Sequence, residues 1–259
     1  VPHNAGSPVG SIRVLGCRVD AVDAAGAVER IVELSNAPPF SLVVTLGVEM
    51  VMGAQRDPDF RAALNGAALN VCDTIGLLLA SRVRRGPLRS RVAGVELLAD
   101  LAARSASHRD LKLFLLGGSG DTATRAAAAL ERQFPGVVIC GTRDGYFAAN
   151  ESAAVAARIA ASGANLLCAG LGSPKQERWL AQYGPATGCG AGIGVGGSLD
   201  VFAGTVMRAP RLVQRTGLEW AYRLVREPRR WRRQLALPQF VVAVVKELVF
   251  GEEKQRSYL

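Results

Sequence analysis

The chain has 259 residues, 49% of them hydrophobic and 20% charged, and a formal net charge of +9. That composition excludes a disordered chain and supplies enough apolar surface for one large core, or one core with a small appendage. No apolar run reaches the roughly 18 residues of a bilayer span, and no basic-then-apolar leader opens the sequence.

In chain order, residues 1–10 read as a flexible tail. Strand-like apolar runs follow at 12–17, 42–45, 68–72, 111–116, 137–140, 166–170 and 191–195. Helix-period segments at 22–34, 75–84, 94–106, 122–134 and 152–162 lie between them. Asp121, after Gly117-Gly118-Ser119-Gly120, stands where an N-cap would. Several strands lack polar alternation, as expected when both faces of a sheet are covered. Residues 11–205 therefore predict one α/β domain: a Rossmann-like, mostly parallel sheet with helices on both faces.

After Gly204 the composition changes. Residues 206–259 carry twelve Lys and Arg against five Asp and Glu, whereas the preceding part carries nineteen against seventeen. The basic charge thus belongs to a C-terminal helical appendage, which calls for an anionic counterpart. Residues 208–233 are Arg-rich with interleaved Trp220, Tyr222 and Trp231, and residues 235–250 are apolar but interrupted by Lys246 and Glu247. That last segment suits a helix lying in a membrane interface or packed on a partner. Nucleic acid is the less favoured counterpart, because the apolar segment fits lipid better.

The chemistry is narrowed by what is missing. Five scattered cysteines form no C-x-x-C pair, so neither a disulfide framework nor a zinc site is expected, and a reducing cytoplasm fits. There is no P-loop and no G-x-G-x-x-G at the first strand. His3 and His108 are the only histidines, which disfavours histidine catalysis or metal binding. In open α/β sheets ligands bind at the carboxyl ends of strands. Thr45, Asp73, the loop Gly170-Leu171-Gly172-Ser173-Pro174-Lys175-Gln176-Glu177 and the turn Gly194-Val195-Gly196-Gly197-Ser198-Leu199-Asp200 all fall there. Glycines at such turns let backbone N–H groups approach a phosphate. Pro174 suits a first helical position, which would set Gln176 and Glu177 on an exposed first turn. Asp73 is the best-placed general base, with an N-cap for 75–84 as its alternative role; Asp200, Asp144 and Glu177 compete.

These loops, with Arg208-Ala209-Pro210, Gly217-Leu218-Glu219-Trp220-Ala221-Tyr222-Arg223-Leu224, Glu227-Pro228-Arg229-Arg230, Arg91-Val92-x-Gly94 and Gly145-Tyr146-Phe147, resemble the WecG/TagA/CpsF family of bacterial glycosyltransferases. The resemblance spans residues 41–234. It implies an inverting, metal-independent transfer without cofactor. The sugar, commonly N-acetylmannosamine, would pass from a UDP donor to a sugar on undecaprenyl diphosphate in envelope polysaccharide synthesis. It further implies a peripheral enzyme on the inner face of the plasma membrane. By the same resemblance Asp73 is the base, with Thr45 beside it, and Arg91 and Gln176 position acceptor or donor. Gly172, Lys175, Glu177, Gly196, Gly197 and Asp200 serve the nucleotide, and Arg223, Arg230 and Arg233 the leaving diphosphate. A homo-oligomer hiding the apolar tail is a further expectation. A non-catalytic nucleotide-binding scaffold of envelope assembly is the alternative. Two positions depart from the family pattern: Leu46-Gly47 replaces Pro-Asn after Thr45, and Thr74 replaces Gly after Asp73, where a positive φ would strain threonine.

Overall fold

A computed structural model describes residues 10–210, 213, 222 and 235–256. The first predicted strand is in fact two. β1 (Ser11–Val14) and β2 (Cys17–Asp20) form an antiparallel hairpin turning at Leu15 and Gly16. Both turn residues have positive φ, 48° and 79°, the geometry that fits the twist of a two-residue hairpin. Leucine seldom adopts it, so Leu15 carries no turn signal.

The main sheet consists of β3 (Ser41–Leu46), β4 (Leu69–Cys72), β5 (Lys112–Gly117), β6 (Val138–Arg143), β7 (Leu166–Gly170) and β8 (Ala191–Gly194). Their order is β4-β3-β8-β7-β5-β6, and every neighbouring pair is parallel. All six carboxyl ends therefore lie along one edge.

Alternate residues of the strands feed two separate cores. Val43, Val71, Leu115 and Ile193 face α1 (Ala24–Ser35), α5 (Gly94–His108), α6 (Thr122–Gln133) and α9 (Ser198–Phe202). Val44, Leu46, Phe114 and Leu167 face α2 (Val48–Ala54), α3 (Pro58–Gly66), α4 (Ile75–Val83), α7 (Ser152–Ala161) and α8 (Lys175–Tyr183). Each fully buried Leu or Ile contributes about 1.5–3 kcal/mol to this double burial. Polar starts fix several helices: the Asp23 carboxylate accepts from Gly26 N and that of Asp57 from Phe60 N, with Pro58 at the next position. Asp121 occupies the N-cap position of α6, but its side chain makes no capping bond; Thr122 Oγ1 instead donates to Ser119 O at 2.8 Å.

The hairpin is tied to edge strand β4 by one buried carboxylate. Asp20 Oδ2 accepts from Asn70 N at 2.8 Å, and its other oxygen pairs with Arg18 Nε at 3.1 Å. Beyond β8, Ala209 is buried and Arg208 Nη2 bonds Glu96 Oε1 at 2.6 Å on the first turn of α5. A final helix, α10 (Ala236–Arg256), packs Phe240 and Val244 into the core beside α2. Arg56 Nη2 donates to Gln239 Oε1 at 2.9 Å, and Glu247 pairs with Arg84. The other side of α10 leaves Val241, Val242, Val245 and Val249 at least half exposed. Among the described residues no helix is long and apolar enough to cross a membrane.

Candidate active site

The loops after β3 and β7 lead to α2 and α8 on one face, whereas those after β5 and β8 lead to α6 and α9 on the other. Neighbouring loops that part in this way open a crevice at the strand ends. Its floor is backbone. Gly118 N donates to Gly170 O at 3.2 Å, and Gly145 N to Gly118 O at 2.8 Å. A Cβ on Gly117 would stand 2.4 Å from Gly170 O, and one on Gly170 would stand 2.8 Å from Gly196 O, so only glycine fits at either point. The loops following β5, β6, β7 and β8 are thereby stacked in contact.

On the β4 side, Asp73 directly follows the strand, and its N–H donates to Leu46 O at 3.0 Å. Its Oδ1 accepts from Gly94 N at 3.0 Å, the first residue of α5. The alternative role weighed for Asp73, a cap of α4, is not the one seen: its side chain accepts from the first N–H of α5 across the site, while Thr74 takes the N-cap position of α4 without a side-chain bond. The buried Thr45 hydroxyl donates to Gly194 O at 2.8 Å. A Cβ on Gly94 would lie 3.5 Å from both Ser198 Oγ and Thr45 Cγ2, so Thr45, Asp73, Gly94 and Ser198 form one cluster. Arg91 precedes Val92, whose N–H donates to Cys72 O at 2.7 Å. The Cys72 thiol is pushed up to about 12 by burial and by the Asp73 charge, with Arg91 pulling the other way. A thiol so protonated is no nucleophile at neutral pH.

On the β7–β8 side the sequence reading needs correction. Gln176 and Glu177 are not on an exposed turn; they are 3% and 0% exposed. Pro174 is the N-cap residue and α8 begins at Lys175, which turns the next two side chains inward beneath β8. Gln176 Oε1 accepts from Gly196 N at 3.2 Å, and Gln176 Nε2 donates to Glu177 Oε1 at 2.7 Å. Burial pushes the Glu177 carboxyl up, and the bond from Gln176 pulls it partly back. Exposed Lys175 reaches Gly145 O at 3.3 Å and lies 5.2 Å from the centre of the Phe147 ring; Arg143 lies 6.0 Å from the same ring and pairs with Asp144. Gly172 has φ 77° in the loop above, and Gly197 caps α9, on whose first turn Asp200 stands. Arg223, Arg230 and Arg233 lie outside the described residues.

The structure thus groups Thr45, Asp73 and Arg91 at one end of the crevice and Gly172, Lys175, Gly196 and Gly197 at the other. Sequence reasoning named Gly94, Ser198 and Gly194 within motifs but gave them no role of their own; Gly94 and Ser198 complete the Asp73 cluster, and the bare backbone of Gly194 admits Gln176. The signal for the last was present: Gly192 and Gly194 alternate along one face of a strand, a slot that another element must fill.

Residues 12–254 match the Glycosyl transferase WecG/TagA/CpsF family. The chain belongs to this family. It is a glycosyltransferase, and the scaffold alternative falls away. Among curated relatives, a Bacillus spizizenii protein named N-acetylglucosaminyldiphosphoundecaprenol N-acetyl-beta-D-mannosaminyltransferase is 36% identical over 206 residues, 80% of this chain and 79% of that protein. A Bacillus subtilis protein of the same name is 32% identical over 207 residues, 80% of each. Against the WecG/TagA/CpsF pattern, the two departures prove to be neighbours. A Cβ on Gly47 would lie 3.3 Å from Thr74 Cγ2, so the threonine methyl fills part of the space a side chain at 47 would need. Thr74 has φ −119°, ordinary extended backbone, and the strain expected of it is absent.

Proposed function

We propose that this glycosyltransferase moves an N-acetylmannosamine-type sugar from a UDP donor to a sugar carried on undecaprenyl diphosphate, with inversion and without a metal. The observation that carries the reading is Asp73, held at the strand end by Gly94 N–H on the same sheet edge as the glycine turns. In the reaction an acceptor hydroxyl oxygen bonds to the anomeric carbon and its proton passes to the Asp73 carboxylate. The bond from that carbon to the β-phosphate oxygen breaks, and UDP leaves with the electron pair. Attack from the side away from UDP inverts the centre. Thr45 and Arg91 position the acceptor end; Gly172, Lys175, Gly196, Gly197 and Asp200 take the nucleotide end, where backbone N–H groups suit phosphate.

The charge developing on the diphosphate needs fixed cations, and arginine offers bidentate contacts. We assign that role to Arg223, Arg230 and Arg233. Support comes from the anchors on either side of them: Arg208 is held on the first turn of α5, near Gly94, and α10 is held against α2, which follows β3. The exposed valines of α10 and the basic stretch before it suit an anionic bilayer and support a peripheral position on the membrane's inner face. Residues 11–205 would then serve as the catalytic domain and 206–259 as the membrane-facing appendage.

Asp73→Asn tests the reading, since asparagine keeps the acceptor for Gly94 N–H but cannot take the proton. With UDP-N-acetylmannosamine and a short-chain diphosphate acceptor, kcat should fall about 10²–10⁴-fold with UDP affinity retained and chelator without effect. Transfer within about threefold of wild type would rule Asp73 out as the base.

A further inference from the structure

We infer that Glu177 is a positioning residue for the donor turn: it orients the Gln176 carboxamide, and that carboxamide holds Gly196 N–H and so the shape of turn 194–197. The inference rests on the proposal that this turn receives the donor's diphosphate.

The polarity of the relay follows from one unambiguous group. Gly196 N–H can only donate, so the Gln176 atom facing it at 3.2 Å must be the oxygen. The amide nitrogen then points to Glu177 Oε1 at 2.7 Å, and Glu177 must accept. Were the carboxamide reversed, a donor would meet a donor at Gly196 and an acceptor would meet an acceptor at Glu177. The carboxyl therefore selects the one orientation that secures the turn.

Burial supports a positional use. Glu177 is 0% exposed, and its Oε2 makes no close hydrogen bond among the described residues, although the Ser173 hydroxyl is near enough to favour the charged carboxyl. A buried polar atom left so is costly, and an apolar side chain would occupy the slot at less cost. What the carboxyl adds is an acceptor, at 2.7 Å for the Gln176 amide and more loosely for the Ser173 hydroxyl. The fit is tight on the strand side too, because a Cβ on Gly194 would stand 2.5 Å from Gln176 Nε2 and 3.1 Å from Glu177 Oε1. Gly196 itself has φ 50°, which glycine adopts freely, so no side chain of its own restricts the turn.

The experiment uses the full chain with Glu177→Gln, Glu177→Met, Gln176→Ala and the double Gln176→Ala/Glu177→Met. Amide exchange at Gly196 is read by NMR and UDP affinity by calorimetry. Glu177→Gln keeps an acceptor and should leave both unchanged. Glu177→Met keeps the length but removes the acceptor; Gly196 exchange should rise about tenfold and UDP Kd about fivefold, the worth of one hydrogen bond. Gln176→Ala should do the same, and the double variant should cost no more than Gln176→Ala alone. Unchanged Gly196 exchange in Gln176→Ala or Glu177→Met, or additive losses in the double, would overturn the inference; should Glu177→Met fail to fold, Glu177→Ala, which also removes the acceptor, decides it by the same readout. A wild-type chain that does not bind UDP would instead count against the donor reading, while Gly196 exchange would still decide the relay.

Discussion

Gly194→Ala isolates the packing on which the glycine turn depends. Gly194 lies in β8 with no positive φ, so alanine brings no backbone strain and the effect is purely steric. Its Cβ would meet Gln176 Nε2 at 2.5 Å and Gln176 Cδ at 3.1 Å, whereas ordinary contact begins near 3.4 Å. The Gln176 amide must retreat by about 1 Å, and it is not a loose end: it is buried and bonded at both sides, to Gly196 and Glu177. Losing those two bonds costs about 1 kcal/mol each, overpacking adds about 1–3 kcal/mol, and the stiffer unfolded chain returns about 0.5–1 kcal/mol. A net loss of about 2–4 kcal/mol should appear as a lower midpoint in urea unfolding, together with weaker UDP binding. Gly192→Ala is the control, since its Cβ would clash with Phe40 Cζ at 2.6 Å and Leu180 Cδ2 at 2.7 Å, an apolar site two residues back. It should lose similar stability but keep UDP affinity in whatever fraction remains folded. A Gly194→Ala protein within about 0.5 kcal/mol of wild type and binding UDP normally would refute the steric reasoning.

Asp20→Ala should destabilise the chain by about 3 kcal/mol in urea unfolding, because Asn70 N–H and Arg18 lose their partner; Asp20→Asn should cost under about 1 kcal/mol. Burial raises the Asp20 carboxyl even against its bonds to Asn70 and Arg18, so the charge is the costly part of that contact. Glu177 is also raised, hence the folded state holds its proton to higher pH than the unfolded chain does. Stability from this group is greatest below the ordinary carboxylate range and is lost as pH rises above it, so Glu177→Gln should gain on wild type as pH is raised beyond that range, measured by urea unfolding against pH. Phe240→Ala removes the ring that seats α10 over Gly76 and Val48, and should raise hydrogen exchange in 236–249 at least tenfold while leaving the sheet protected.

The sheet was legible because its strands are short apolar runs separated by glycine and helix-period segments, and because two-sided burial removes the alternation that would otherwise confuse strand with loop. The hairpin was not, since Leu15 occupies a conformation its residue type disfavours. The short helices α2 and α3 also escaped, their starts resting on Gly47 and on Asp57-Pro58 within a mixed stretch. Asp73 stands directly after a strand, as its sequence position implied; its alternative role as a cap of α4 rested on proximity in sequence, while the fold brings α5 nearer. Gln176 and Glu177 show the deeper limit. By residue type they belong on a surface, and only the paired bare positions of β8 create room for them inside. A polar pair buried against a glycine-lined strand transmits side-chain choice at α8 directly to backbone shape at the turn after β8. Alanine at 194 should therefore reproduce, from the strand side, the faster Gly196 exchange that methionine at 177 produces from the helix side; unlike effects on that single amide would mean that the two elements do not act through one carboxamide.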